Sequence, residues 1–132
     1  FGALYDQNVM LEGTILKASM VISGKDCPEQ ASVEEVAEMT VRCLKSAVPA
    51  ILPGIVFLSG GQSDEAATAH LNAMNQMGPH PWPLSFSYGR AMQAAALKIW
   101  SKDLVGNVAA AQQTVYARAK DNGLAALGQW KK

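Results

Sequence analysis

The sequence predicts an α/β fold built on parallel strands, and three observations predict it. Short apolar runs near residues 9–17, 54–58 and 84–87 alternate with longer stretches whose apolar residues recur every three or four positions. Gly, Ser and Pro punctuation separates the two kinds of segment. A composition of 49% hydrophobic and 17% charged residues over 132 positions supplies one ordinary hydrophobic core.

Residues 1–7 read as the end of a helix, and residues 9–17 (VMLEGTILK) as a strand. Period-two alternation would put Leu11, Gly13, Ile15 and Lys17 on one face of it. A loop with Gly24 and Pro28 leads to Ser32, which with Glu35 spells a capping box and opens a helix. Val33, Val36, Ala37, Val41, Leu44 and Val48 form its apolar stripe, and Pro49 and Pro53 end it.

The run 54–58 (GIVFL) is too short for a helix and lacks polar alternation, which suits a strand covered on both faces. Ser59-Gly60-Gly61-Gln62 follows, and Ser63 is placed to cap a helix over 64–76 that turns Ala67, Leu71 and Met74 inward. A Gly/Pro-rich loop precedes a third strand at 84–87. Gly89 and Arg90 then open a helix marked by Met92, Ala95, Ala96 and Ile99. The last helix, expected over 107–121, carries Val108, Ala111 and Val115 as its inward stripe. Three βα units are too few for a closed barrel of on the order of 250 residues, so 1–132 reads as a single partial domain, with a small three-stranded α/β domain as the alternative the pattern leaves open. Phe1 stands where an initiator Met is usual, so a processed or truncated chain is expected.

Eleven basic residues balance eleven acidic ones, so nothing in the net charge favours nucleic acid or an anionic membrane, and anion binding has to be local. No apolar run reaches spanning length. Cys27 and Cys43 lack CxxC spacing and read as reduced structural thiols in a cytosol-like compartment. His70 is expected on a helix surface and His80 in a loop, with no metal-ligand spacing between them. Glu34, Glu35 and Glu38 read as a solvated helix start that complements the dipole. Trp82, Trp100 and Trp130 lack interleaved basic residues of the kind that would bind nucleic acid.

Two features invite chemistry. Lys17 ends its strand, at the edge where parallel α/β folds collect their sites, and partial burial among Ile15, Leu16 and Met20 would favour the free amine that attacks carbonyls. The pattern alone favours the ordinary alternative, a lysine whose stem packs while its head reaches solvent. The second feature is a pair of strand-to-helix turns, Ser59-Gly60-Gly61 and Gly89-Arg90. Bare backbone amides at helix starts, with one guanidinium, suit a phosphate. The same glycines would also serve as tight connectors.

The segments LEGTILK around Lys17, VFLSGGQSDEAA over 56–67, LNAMN over 71–75 and SFSYGRAMQAAALKIW over 85–100 resemble, in order, the class I fructose-1,6-bisphosphate aldolase family. The resemblance implies the C-terminal part of a (β/α)8 TIM barrel: strands six to eight and the helices after them. It implies Lys17 as the Schiff-base lysine, with Ser59, Gly60, Gly61, Ser87, Gly89 and Arg90 around the substrate phosphate. Ala18-Ser19 departs from the Pro-Asn common after the family's lysine.

The implied enzyme is a glycolytic and gluconeogenic lyase that cleaves fructose 1,6-bisphosphate to dihydroxyacetone phosphate and glyceraldehyde 3-phosphate without cofactor or metal. It would be a cytoplasmic homotetramer with a sugar-phosphate substrate and no nucleic-acid or membrane partner. The family's acid/base carboxylates are expected ahead of Phe1, so these residues alone should turn over little substrate. Two rivals are a transaldolase-like Schiff-base enzyme, which would keep Lys17 without the paired phosphate turns, and a non-catalytic phosphate-binding scaffold.

Overall fold

Three short parallel strands carry the site, and their register aligns the ends that matter. In the computed structural model, which describes residues 1–131, β1 (Leu16–Ala18), β2 (Ile55–Phe57) and β3 (Leu84–Phe86) form one sheet in that order. Lys17 pairs with Val56 and Val56 with Ser85, while Ala18, Phe57 and Phe86 line up at the C-terminal edge. Side chains alternate across a strand, so Lys17, Val56 and Ser85 share one face and Ile55 and Phe57 point to the other.

That other face is the covered one. Ile55 and Phe57 are fully buried in a cluster with Val36, Ala37, Val41 and Leu44 of α2 (Val33–Ala47) and Ala67, Leu71 and Met74 of α3 (Asp64–Gln76). Each large side chain so buried contributes about 1.5–3 kcal/mol, so α2 and α3 together support this face of the sheet. The face bearing Lys17 has no such layer: Lys17 is exposed, and Val56 and Ser85 partly so. The expectation of a strand covered on both faces therefore holds for one face of β2 within the described residues.

Local chemistry explains the helix starts. Ser32 Oγ accepts from the Glu35 amide at 3.1 Å and Ser63 Oγ from the Ala66 amide at 3.1 Å, each satisfying a first-turn donor. The first segment includes a short helix, α1 (Gly2–Asp6). The strand expected over 9–17 is largely absent: Leu11–Gly13 forms a 3₁₀ turn, Thr14 Oγ1 donates to the Met10 carbonyl, and Ile15 is 62% exposed. Gly13 packs poorly in a strand, and β1 has only β2 to pair with.

α4 (Arg90–Trp100) and α5 (Val108–Ala126) follow the sheet. Ala91 and Ala96 are the buried residues of α4, with Met92, Ala95 and Ile99 partly covered. α5 runs beyond the expected 107–121, and its apolar stripe does not enter the core. Val108 and Val115 are 40% and 39% exposed, and the fully buried residues of the helix are Asn122 and Ala125. The N-terminal half of α5 faces α4 across an open cleft, so only its C-terminal half reaches the sheet side of the molecule. Asn75 fixes that end by donating to the Leu84 and Ala125 carbonyls at 3.2 Å each. Cys27 and Cys43 are free and exposed, and no helix among the described residues is long and apolar enough to cross a membrane.

Candidate active site

Lys17 occupies the middle of β1, one residue from the C-terminal edge of the sheet, on the face the helices leave open. The partial burial expected for it among Ile15, Leu16 and Met20 does not occur: Lys17 and Ile15 are exposed, and of those neighbours Met20 alone is buried. β1 is an outer strand with one neighbour, and nothing among the described residues packs over the lysine's face. The amine is thus accessible to a carbonyl compound.

Next to it, the end of β2 is tied to β1 by the Leu58 amide, which donates to the Ala18 carbonyl at 3.0 Å. The chain then turns at Ser59–Gln62, the Gln62 amide reaching the Ser59 carbonyl at 3.3 Å. Gly61 has φ +78°, in the left-handed region that glycine occupies without cost. A Cβ there would lie 2.8 Å from Ile22 Cδ1, so conformation and space both call for glycine. A Cβ on Gly60 would stand 3.0 Å from Leu58 Cδ1 and 3.9 Å from Arg90 Nη2. The guanidinium therefore hangs directly over the bare backbone of the turn. Among the described residues the Gly60 and Gly61 amides have no hydrogen-bond acceptor, and Arg90 has no ion-pair partner.

Arg90 reaches this position because β3 ends beside β2. The Ser87 amide donates to the Phe57 carbonyl at 2.8 Å, and the chain passes Gly89 straight into α4. A cavity of about 380 Å³ opens between the two turns, lined by Ser59, Gly61, Gln62, Asp64, Arg90 and Ala94. Ser59, Gly61 and Arg90 are thereby brought together, with Gly60 beside them. Ser87 and Gly89 sit on the same sheet edge but do not line the cavity. The turn amides, the Arg90 guanidinium and the partial positive charge of the α3 start all face this cavity, as does Asp64, an arrangement that can attract an anion. A larger cleft of about 530 Å³ between α4 and α5 is mainly apolar, lined by Leu97, Trp100, Val108 and Val115 among others, with Tyr116 and two glutamines as its polar side chains and no charged residue among those described.

Several neighbours of the two turns were not legible as such. His70, expected on the surface, is buried at 7% exposure, because α3 presents it to the turn rather than to solvent. Its Nδ1 lies 2.6 Å from Gln62 Oε1, within hydrogen-bond distance. Burial lowers the His70 pKa from its ordinary value, against a smaller opposing pull from Glu34. Beneath the two turns, Arg118 of α5 donates from Nε to the Ala91 carbonyl at 3.0 Å, and from Nη2 to the Asp64 carbonyl at 2.7 Å and Thr68 Oγ1 at 2.8 Å. Thr68 in turn donates to Asn122 Oδ1 at 2.8 Å. The signal was present: the stripe Val108, Ala111, Val115 continues at the same spacing through Arg118, Asn122 and Ala125, placing polar residues at core positions.

Comparison with known proteins gives the family and the fold. The model of the family described as fructose-bisphosphate aldolase class-I matches residues 1–132. A probable fructose-bisphosphate aldolase class 1 of Xanthomonas campestris is 80% identical over 131 residues, covering 99% of this chain and 39% of that protein. Fructose-bisphosphate aldolase 1 of Toxoplasma gondii is 58% identical over 130 residues, covering 98% of this chain and 36% of that one. A solved fructose-bisphosphate aldolase of Plasmodium falciparum, crystallised in a ternary complex with TRAP and a small-molecule inhibitor, superposes with a TM-score of 0.95 at 48% identity. It is matched over 100% of this chain and 38% of its own. The chain thus spans well under half the length of these relatives. With its whole length matched by the family model, this chain belongs to the class I fructose-bisphosphate aldolase family.

Proposed function

We propose that the natural protein cleaves fructose 1,6-bisphosphate reversibly to dihydroxyacetone phosphate and glyceraldehyde 3-phosphate, with Lys17 as the covalent nucleophile. One observation carries this reading: Arg90 and the Gly60–Gly61 turn converge at the C-terminal edge of the same three-stranded sheet whose open face presents Lys17. A ketone whose phosphate is held at that edge is delivered to the neighbouring strand, where the amine stands.

The Lys17 amine adds to the ketone carbon and water leaves, giving a protonated imine. The imine accepts the electron pair as the bond between C3 and C4 breaks, and the C4 hydroxyl loses its proton as glyceraldehyde 3-phosphate departs. The remaining enamine takes a proton at C3. Hydrolysis of the imine returns the amine and releases dihydroxyacetone phosphate, so water lost in the first step is recovered in the last. Ser59, the glycine amides and Arg90 grip the phosphate, and Ser87 and Gly89 complete the same edge. Remote binding energy so applied fixes the carbonyl against Lys17.

The same reading makes residues 1–132 part of a larger domain, with β1 to β3 as the sixth to eighth strands of a closed (β/α)8 barrel. Helices covering one face only and a lysine on the other suit a barrel wall with an inward nucleophile. The reading extends to a cytoplasmic homotetramer, as the family resemblance implies.

Turnover of fructose 1,6-bisphosphate by the natural protein tests the proposal. K17R should lower kcat by at least about 10²-fold, as expected for loss of a covalent route, while R90A should act mainly on KM. Tight sugar-phosphate binding with no cleavage by the intact wild type would favour the scaffold reading instead.

A further inference from the structure

We propose that Arg118 is a positioning residue that sets the spacing between the two halves of the phosphate site. The halves belong to different βα units: the Ser59–Gly61 turn runs into α3, and Gly89-Arg90 opens α4. Both helices start at the cavity, so the distance between their first turns decides whether Arg90 and the glycine amides can grip one anion together.

Arg118 spans that distance from below. Its Nε donates to the carbonyl of Ala91, in the first turn of α4, at 3.0 Å. Its Nη2 donates to the carbonyl of Asp64, the first residue of α3, at 2.7 Å, and to Thr68 Oγ1 one turn on at 2.8 Å. The guanidinium plane fixes the directions of these donors relative to one another, so one rigid group holds both helix starts. The side chain is 14% exposed, and its nearest carboxylate, Asp121, is 4.0 Å away and itself 40% exposed. Its short contacts are therefore to backbone and hydroxyl oxygens, which places it as a strut rather than as half of an ion pair. It touches none of the residues expected to hold the phosphate, and reaches them through the carbonyl of Ala91, next in sequence to Arg90, and through that of Asp64, which lines the cavity.

This proposal rests on the phosphate-site reading above. The test compares borohydride trapping of dihydroxyacetone phosphate and of unphosphorylated dihydroxyacetone on the natural protein, wild type and R118K. Lysine keeps the charge but presents a single ammonium that cannot hold both carbonyls in a planar fork. The ratio of trapping rates, phosphorylated over unphosphorylated, should fall about tenfold in R118K, the scale expected when a binding group is misplaced. Trapping of dihydroxyacetone itself should persist. An unchanged ratio, or equal loss for both ketones, would mark Arg118 as a general structural residue and overturn the proposal. If the wild type shows no preference for the phosphorylated ketone, the phosphate-site reading fails and takes this proposal with it. Should R118K not fold at the assay temperature, T68V withdraws one acceptor from the same guanidinium and must bias the ratio in the same direction. An unaltered ratio there would also overturn it.

Discussion

His70 Nδ1 lies 2.6 Å from Gln62 Oε1, which ties the middle of α3 back to the turn that precedes it. Burial lowers the His70 pKa below the ordinary value of 6.5, so the folded protein resists a proton that the unfolded chain accepts. The stability His70 confers is therefore complete above pH 6.5 and is lost as pH falls through the folded value. Urea midpoints measured from pH 8 down to pH 5 should decline in the wild type and decline less in H70N. Identical slopes would show that His70 does not carry this dependence.

Gly61 combines φ +78° with a Cβ position 2.8 Å from Ile22 Cδ1. G61A should cost about 1–2 kcal/mol from the left-handed backbone alone, with further loss from the clash. The turn should shift as well, so affinity for inorganic phosphate should fall together with stability in denaturation and titration experiments. A variant with wild-type values of both would contradict the assigned turn.

Tyr88 donates its hydroxyl to the Ala67 carbonyl at 2.9 Å, and burial raises its pKa above 10 against a lesser lowering by Arg118. The folded state thus holds the phenol proton that the unfolded chain releases. Stability from this group is full below pH 10 and is lost as pH rises further. Y88F should cost about 0.5–1.5 kcal/mol at neutral pH and should flatten the alkaline decline in Tm. An alkaline limb unchanged by the substitution would count against it.

Leu71 is fully buried beneath the sheet, in the cluster with Ile55 and Phe57. L71A should destabilise the fold by about 2–5 kcal/mol, and the loss should appear as a shifted denaturation midpoint at unchanged slope.

How much of this could be read from the chain depended on whether local chemistry or distant packing decided a residue's place. α3 begins after Ser63 and buries Ala67, Leu71 and Met74 as its pattern predicts, because a cap and a strong apolar stripe agree. The parallel order of the strands followed likewise from the βα rhythm. The apolar letters of 9–17 misled, since a strand needs a partner and β1 has one only from Leu16 to Ala18. Val108 and Val115 misled in the same way: periodicity shows that a face is apolar, not what covers it. The burial of His70 and the partners of Arg118 depend on loops and helices 8 to 54 residues apart in sequence: helical spacing marks Arg118 as inward-facing but not what it holds. The meeting of Arg90 with Gly60 was anticipated from two weak turn signals in successive units, and the sheet register is what joins them.

The account stands most directly on where a reduced imine would be found. Borohydride treatment of the natural protein with dihydroxyacetone phosphate, followed by tryptic digestion and mass spectrometry, reads this out. Modification should block cleavage after Lys17, so the added mass should appear in a peptide running through Lys17 to Lys25, the next tryptic site in the sequence. Added mass on another lysine, with cleavage after Lys17 intact, would contradict the assignment of the nucleophile.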